Sequence, residues 1–186
     1  AGAGVQWLRD KVKFIKKASD TEKIAKSLSS NKGIYLVPAF TGLGAPYWNV
    51  NARGILTGLT RDTGPKEITR ATVESVAYQT YDLFEAMKND GLKPKLIKVD
   101  GGMVLNNWFS QFLSDTINTK VLRPKVNETT ALGAAFMAGL QIGVYKSLKD
   151  IAKNWQADKS FKPRIKNSER KILIDGWRKA IKKTLS

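Results

Sequence analysis

The sequence predicts an α/β domain in which a mixed β-sheet is covered by helices on both faces. Three observations lead to this expectation. The apolar pattern follows the order strand, strand, long helix, strand, helix, strand, helix. Helices that cross over between the later strands imply parallel pairing there, whereas the first two strands suit an antiparallel pair. A chain of 186 residues with 42% hydrophobic content can form one packed domain, which argues against wholesale disorder.

The first third of the chain alternates helices, strands and one long loop. We expect, in order, a helix from residue 7 to about 17, a second helix from Thr21, a strand at 34–37, a Gly/Pro/Asn-rich loop over 41–53 and a strand at 54–59. Pro38 ends the first strand, because proline cannot donate a hydrogen bond to the ladder.

The strongest helical pattern runs from residue 66 to about 89. Apolar residues recur on one face at 3.6-residue spacing, namely Val73, Val76, Thr80, Leu83, Phe84 and Met87. Gly64-Pro65 precedes this helix, and Gly91 and Pro94 follow it, which is typical punctuation for a helix start and end.

Strands and helices continue to alternate after this helix. We expect a strand at 96–99, a helix that begins directly after Gly102, a strand at 120–123, a helix from 130 to about 140 and a basic helical tail. The predicted organisation is therefore one domain over residues 1–145, with leading helices at 1–32 and an α/β core at 33–145. Residues 146–186 form a basic helical extension packed on the same domain.

The formal net charge of +16 is concentrated at the two ends of the chain. Residues 1–32 are +5, residues 33–145 are +2, and residues 146–186 are +9. The basic residues recur at helical spacing among apolar ones, which favours solvated faces of amphipathic helices. The alternative is a basic binding module whose ends contact RNA or anionic lipid.

The absence of two residue types excludes several kinds of chemistry. The chain has no Cys and no His, so it holds no disulfide, no zinc site built on those residues and no Ser-His-Asp triad. No apolar run approaches the ~20 residues that cross a bilayer. We therefore expect a soluble, cytoplasmic protein with no membrane partner. The chain opens without Met in a helical pattern, and we expect it to be a piece of a longer protein.

One segment, residues 99–107, has a pattern that suits phosphate binding. A strand ends at Asp100-Gly101-Gly102 and a helix follows, so glycine backbone and helix N–H groups can approach an anion. Asn106, on the first turn, can make a two-way hydrogen bond to a base. The alternative is a tight turn that uses glycine for positive φ. Asp100 is then a helix or turn cap, or otherwise binds a metal or a phosphate indirectly, through water.

Two further segments allow a binding role or a packing role. Gly2 and Gln6 are four residues apart, so they lie on one helical face. The start of this helix has no large side chain, since Gly4 follows Gly2. This start can therefore contact a nucleotide or pack closely on another helix. The loop over residues 41–48 suits a binding edge, or a rigid turn that packs its own Trp48.

These motifs together resemble the glycerol kinases of the FGGY carbohydrate kinase family. The resemblance rests on GIYLVPAFTGLGAPYW at 33–48, GILTGL at 54–59 followed by EITRATVE at 67–74, VDGG at 99–102 with Asn106-Asn107, and TALGAA at 130–135. It covers nearly the whole chain and weakens after about Lys146.

The resemblance implies a fold, a ligand and a set of binding residues. The fold is the actin-like, ribonuclease H-like domain, here the C-terminal half of a two-domain kinase with ATP and Mg²⁺ in the cleft. Gly102 and Gly101 match the phosphate side of the ATP site, Asn106 the adenine end, and Gly2 and Gln6 the opposing wall.

The resemblance also implies what this half lacks. The glycerol-binding side chains and the catalytic Asp of the family match no position in this chain. We therefore assign no catalytic residue and no metal ligand to it. The isolated chain is expected to be inactive. The implied partners are glycerol, bound through the other half, and further copies in a homodimer or homotetramer, without nucleic acid. Another sugar kinase of the family is the alternative within the class.

Overall fold

The computed structural model describes residues 2–186, and Ala1 lies outside the described residues. The α-helices are α1 (Ala3–Asp10), α2 (Asp20–Lys26), α3 (Pro65–Asn89), α4 (Asn107–Ile117), α5 (Thr129–Gln141), α6 (Leu148–Lys153) and α7 (Asn167–Leu185). A 3-10 helix spans Gly102–Leu105. The strands are β1 (Tyr35–Val37), β2 (Ile55–Thr57), β3 (Leu96–Lys98), β4 (Lys120–Pro124) and β5 (Ala157–Phe161).

The strands form two small sheets. β1 and β2 pair antiparallel, with Tyr35 opposite Thr57. The other sheet has the order β3-β4-β5, in which β3 and β4 are parallel and β5 is antiparallel to β4. The antiparallel first pair and the parallel later pair are therefore confirmed, but they lie in two separate sheets rather than in one. The sheet β3-β4-β5 is mixed because of β5, which the sequence does not predict.

Two sequence-based boundaries are wrong. The tail after residue 146 is not entirely helical, because it contains β5, which pairs with the edge of β4. The residues of β5 are mostly exposed and polar, so they show no apolar alternation that would predict a strand. The first helix ends at Asp10, well before residue 17. Lys13 is left-handed (φ 58°), and the Asp20 carboxylate accepts the N–H groups of Lys16 (3.1 Å) and Lys17 (2.8 Å), which stabilises a turn there.

The long helix α3 lies at the centre of the core, where α1, α2, α4 and β1 all pack against it. Its Tyr78 stacks on Trp177 of α7, with ring centroids 5.3 Å apart, and meets Phe112 of α4 edge-on at 5.6 Å. The Trp177 indole donates to the buried Asp82 carboxylate (2.8 Å), and burial raises the pKa of that carboxyl to about 6. The aromatic stack therefore attaches the basic C-terminal helix to the core.

A fully buried carboxylate on α3, that of Glu74, is satisfied by three partners. Arg70 donates to it over 2.7 Å, Asn31 over 2.9 Å and Tyr78 over 3.3 Å. Burial raises the pKa of Glu74, and the positive charge of Arg70 acts against that shift. The network joins the turn before β1 to the central helix.

No helix within residues 2–186 is both long and apolar enough to span a bilayer.

Removal of the Glu74 charge should destabilise the fold strongly. In Glu74→Gln the buried Arg70 guanidinium loses its counter-charge, and we expect a loss of about 3–5 kcal/mol in the free energy of unfolding, measured by urea denaturation. The control Glu85→Gln, which breaks a surface pair with Lys88, should cost about 0.5 kcal/mol or less. Equal effects of the two substitutions would contradict this role of Glu74.

Two helical glycines should respond oppositely to alanine. A Cβ at Gly176 would overlap the hydroxyl and ring of the buried Tyr35, so Gly176→Ala should destabilise by about 1–3 kcal/mol. A Cβ at Gly133 would meet nothing within 4 Å, so Gly133→Ala should stabilise by about 0.5–1 kcal/mol through helix propensity. Thermal unfolding followed by circular dichroism measures both; a stable Gly176→Ala variant would show that Tyr35 can move.

Candidate functional site

A cavity of about 400 Å³ lies between the start of α1, the start of α2 and the 3-10 helix. Four of the five residues predicted to bind a ligand line it, namely Gly2, Gln6, Gly102 and Asn106. The other lining residues are Val5, Arg9, Ala18, Ser19, Thr21, Glu22, Met103 and Leu105. The fold thus brings together residues that are about 100 positions apart in sequence.

The two glycines of the cavity leave the backbone open to a ligand. A Cβ added at Gly2 or at Gly102 would meet no heavy atom within 4 Å. Both residues are exposed, and both line the cavity. Their lack of a side chain is therefore not explained by packing within the chain. It does allow another molecule to contact the main chain closely.

Two neighbouring glycines have structural roles. Gly101 does not line the cavity; its φ of 84° forms the turn after β3, and its N–H donates to Asn127 (3.3 Å), as the tight-turn alternative predicts. Gly4 faces α3, and a Cβ there would lie 2.8 Å from the Thr72 methyl group. Close packing of α1 on α3 thus explains Gly4.

The predicted α-helix that begins directly after Gly102 is wrong. The residues that follow form only the 3-10 helix, and α4 begins at Asn107. The backbone leaves the α region at Asn106, where φ is −70° and ψ is 107°. A four-residue 3-10 helix has little macrodipole, so the electrostatic part of the phosphate prediction does not hold at Gly102. The open backbone at this glycine remains.

Asn106 connects the 3-10 helix, α4 and α2. Its Oδ1 accepts the Phe109 N–H (2.8 Å) and caps α4, while its Nδ2 donates to the Thr21 hydroxyl (3.3 Å). The amide that the sequence predicted to be available for a base is therefore engaged on both sides. An Asn side chain has a second amide hydrogen and a second acceptor lone pair, which leaves capacity for a ligand.

The charged groups at the cavity already have partners. Glu22 accepts from Lys26 (2.6 Å) and from Asn107 (3.4 Å), and Arg9 pairs with Asp10 (2.7 Å). Partial burial acts to raise the pKa of Glu22, but these hydrogen bonds outweigh it and the pKa is lowered. Glu22 is therefore an ionised surface carboxylate rather than a proton donor. The cavity can bind a polar small molecule through backbone and amide groups, without acid–base chemistry of its own.

Sequence reasoning missed the contribution of α2. The sequence predicts only a helix start at Thr21, because the wall of a cavity gives no periodic signal. The other candidate segments lie elsewhere. No residue of the loop over 41–48 lines the cavity, and its Trp48 is 77% exposed rather than packed. Asp100 accepts the Thr129 hydroxyl at the start of α5, but neither the 3-10 helix nor α5 has a side-chain capping hydrogen bond, so the cap alternative is wrong. No group of three or more candidate ligands within residues 2–186 could hold a metal.

A second cavity of similar size, about 430 Å³, lies between β1 and α7. It is lined by Gly33, Tyr35, Thr57, Gly176, Lys179, Ala180, Lys182, Lys183 and Ser186. None of the predicted binding residues lies there.

Comparisons with known proteins match this chain to carbohydrate kinases. Among curated relatives, glycerol kinase from Ectopseudomonas mendocina is 54% identical over 187 residues, and glycerol kinase 1 from Pseudomonas aeruginosa is 53% identical over 186 residues. Each match covers 100% of this chain but 38% of the relative, so the chain spans less than two fifths of their length.

Solved structures give the same result for the fold. Glycerol kinase from Plasmodium falciparum, solved with ADP, superposes with a TM-score of 0.89 at 36% identity, over 100% of this chain and 37% of that one. Xylulose kinase from Lactobacillus acidophilus shares the fold, with a TM-score of 0.79 at 24% identity. The fold is therefore the predicted actin-like, ribonuclease H-like domain.

The family described as the FGGY family of carbohydrate kinases, C-terminal domain, matches residues 1–142. This match covers most of the chain, and the structural matches extend it to the whole chain. The chain therefore belongs to the FGGY family of carbohydrate kinases.

Proposed function

We propose that this chain is the nucleotide-binding part of a glycerol kinase, which transfers the γ-phosphate of ATP to glycerol and releases sn-glycerol 3-phosphate and ADP. The observation that carries the proposal is the cavity of about 400 Å³, where Gly2, Gln6, Gly102 and Asn106 meet. Its volume lies in the range of about 300–1,000 Å³ that is usual for small-molecule sites. The Plasmodium falciparum relative, solved with ADP, supports a nucleotide as the ligand.

Each of these residues has a proposed position around the nucleotide. The open backbone at Gly102, with the turn at Gly101, lies beside the phosphates. Asn106 lies at the adenine end, where its remaining amide hydrogen can reach the base. Gly2 and Gln6 form the opposing wall. Backbone and amide donors placed in this way position a phosphoryl donor, which is much of what phosphoryl transfer needs from a protein.

Mg²⁺ belongs to the proposal as a companion of the nucleotide rather than a ligand of this chain. The described residues, 2–186, contain no group of three or more carboxylates that could hold it. We therefore assign the ion to the phosphates of ATP and name no residue of this chain as its ligand.

Glycerol is the proposed acceptor because the relatives at 53–54% identity are glycerol kinases. Another sugar kinase of the same family is the alternative. A basic RNA-binding or lipid-binding module is not favoured, since the matches to these kinases include the basic C-terminal residues. Assembly of the full-length enzyme into a homodimer or homotetramer remains part of the proposal.

ADP should bind this chain at the cavity. We expect saturable binding by isothermal titration calorimetry, and at least a tenfold weaker affinity for Gly102→Val, because a side chain there would occupy the space proposed for the phosphates. The control is Gly44→Val, another glycine whose added Cβ meets nothing within 4 Å but which lies outside the cavity.

A second variant tests the adenine end. Asn106→Asp keeps an oxygen to cap α4 and removes the amide donor, which also bonds the Thr21 hydroxyl. It should therefore weaken ADP binding and lower the free energy of unfolding by only about 0.5–1.5 kcal/mol, measured by urea denaturation. An ADP affinity that is the same in Gly102→Val, Asn106→Asp and the control would contradict the proposed site.

The isolated 186-residue chain should phosphorylate no glycerol. It supplies one wall of a nucleotide site, but no residue that could orient the acceptor hydroxyl or take its proton is assigned to it. A coupled assay of ADP release with glycerol and Mg-ATP measures this, with glycerol kinase 1 from Pseudomonas aeruginosa as the positive control. Robust glycerol-dependent turnover by the pure chain would show that the acceptor site is here.

A further inference from the structure

A buried arginine contacts the 3-10 helix that contributes to the cavity of about 400 Å³. Arg123, on β4, is 9% exposed and does not line the cavity itself. Its Nη1 donates to the carbonyl oxygens of Val104 (2.9 Å) and Leu105 (3.3 Å), the last two residues of that helix. Carbonyl groups at the end of a helix have no partner within it. Arg123 therefore stabilises a wall of the cavity from within the protein.

Arg123 is bound in turn by a carboxylate on the neighbouring strand. Its Nε and Nη2 lie 2.8 Å and 2.6 Å from the same oxygen of Asp158, on β5. The pairing register of the two strands shifts between Arg123 and Pro124, and Asp158 is left without a partner in the ladder. Asp158 is thus the extra residue of a β-bulge. Bulges redirect a side chain, and they are common beside active sites.

Packing of the sheet alone does not explain an arginine at this position. Val121 lies two residues earlier on β4, faces the same side and is fully buried in the apolar core. An apolar residue at position 123 could continue that core, but it would remove the donor of the two helix carbonyls, and buried carbonyls without a donor are costly. A planar guanidinium binds several acceptors at once in a fixed geometry. Arg123 therefore suits the task of fixing the 3-10 helix.

The two ends of this helix depend on Arg123 to different degrees. Asn106, which follows the helix, is held independently through its hydrogen bonds to α4 and α2. Gly102, at the start of the helix, is exposed and has no side chain to attach it. The turn before it is bonded to Asn127, and the backbone after it is fixed by Arg123. Loss of Arg123 should therefore move Gly102 relative to Asn106.

We infer that Arg123 is a positioning residue of the nucleotide site, held by Asp158, and that it keeps the Gly102 backbone at the distance from Asn106 that one nucleotide spans. The inference rests on the proposed function. It also gives the C-terminal extension a part in the site, because the family model matches residues 1–142 and Asp158 lies beyond them. None of the residues that line the cavity lies in the extension, so this contribution is indirect.

Two ligands separate positioning from general destabilisation. ADP spans both ends of the proposed site, whereas adenosine has no phosphates and uses only the end at Asn106. We titrate each into the ¹⁵N-labelled chain and obtain dissociation constants from the NMR shifts. Arg123→Met removes all the hydrogen bonds of the guanidinium, and it should weaken ADP binding at least tenfold but adenosine binding less than threefold. A loss of folded protein would weaken both equally.

Two further variants serve as the conservative change and the matched control. Arg123→Lys keeps the charge but not the planar fork, so it should recover part of the ADP affinity. Lys125→Met removes the same charge and another contact between the β4 and β5 segments, from the Lys125 ammonium to Gln156 (2.8 Å). It should alter ADP binding less than twofold.

Asp158→Asn keeps the test decisive if Arg123→Met does not fold. The Asp158 side chain is 46% exposed, so asparagine fits there, and the loss of its charge weakens the bonds to Arg123. We expect ADP affinity to fall at least threefold. The amide hydrogens of Val104 and Asn106, which donate within the 3-10 turn, should exchange at least threefold faster, whereas that of Val99, bonded to β4, should not change.

The outcomes separate the inference from the proposed function. If the unaltered chain binds ADP, an ADP affinity that stays the same in Arg123→Met and Asp158→Asn overturns only the inference. An equal loss of ADP and adenosine affinity in a folded Arg123→Met variant, checked by circular dichroism, also overturns it. If the unaltered chain binds no ADP, the proposed nucleotide site itself is overturned.

Discussion

The buried carboxylate of Glu74 is the interaction on which the rest of this domain depends. It lies on the central helix and binds Arg70, Tyr78 and Asn31, and Asn31 in turn accepts the Gly33 N–H (3.0 Å). The segment between α2 and β1 is thereby fixed to α3. An uncompensated buried charge is costly, so the loss of one partner should weaken this attachment. This network positions α2. The position of α2 in turn places Thr21, which lines the cavity, beside Asn106.

The candidate site shows what a chain without His or Cys can offer a ligand. Its walls present glycine backbone and neutral amide groups, and its two charged side chains are already paired at the surface. Such a site depends on position rather than on ionisation. That suits the proposed nucleotide site, in which a ligand must be held in place. The net charge of +16 does not define the cavity, since most of it lies on the two ends of the chain.

Much of this fold follows from local sequence signals. The parts that the sequence does not predict have one physical cause in common. Apolar periodicity and Gly/Pro punctuation predict α3, β1, β2, β3 and β4. They fail at β5, whose polar residues form a strand because β4 offers an edge. They also fail at α1, which ends at Asp10, before the left-handed Lys13 and the turn that Asp20 stabilises at Lys16 and Lys17. In the site, open glycines at 2 and 102 could be predicted from motifs. The role of Asn106 as a cap and the wall from α2 could not, since both arise from tertiary contacts.

The proposed nucleotide site requires Gly2, Gln6, Gly102 and Asn106 to contact one and the same adenine nucleotide. The most direct test is an ADP titration of the ¹⁵N-labelled chain, followed by two-dimensional NMR. We expect the resonances of the Gly2 and Gly102 backbone amides and of the Gln6 and Asn106 side-chain amides to shift together with one dissociation constant. The amide resonances of Gly44 and Gly133 should not shift. Shifts confined to Gly33 and Gly176, beside the lysine-lined cavity, would contradict it.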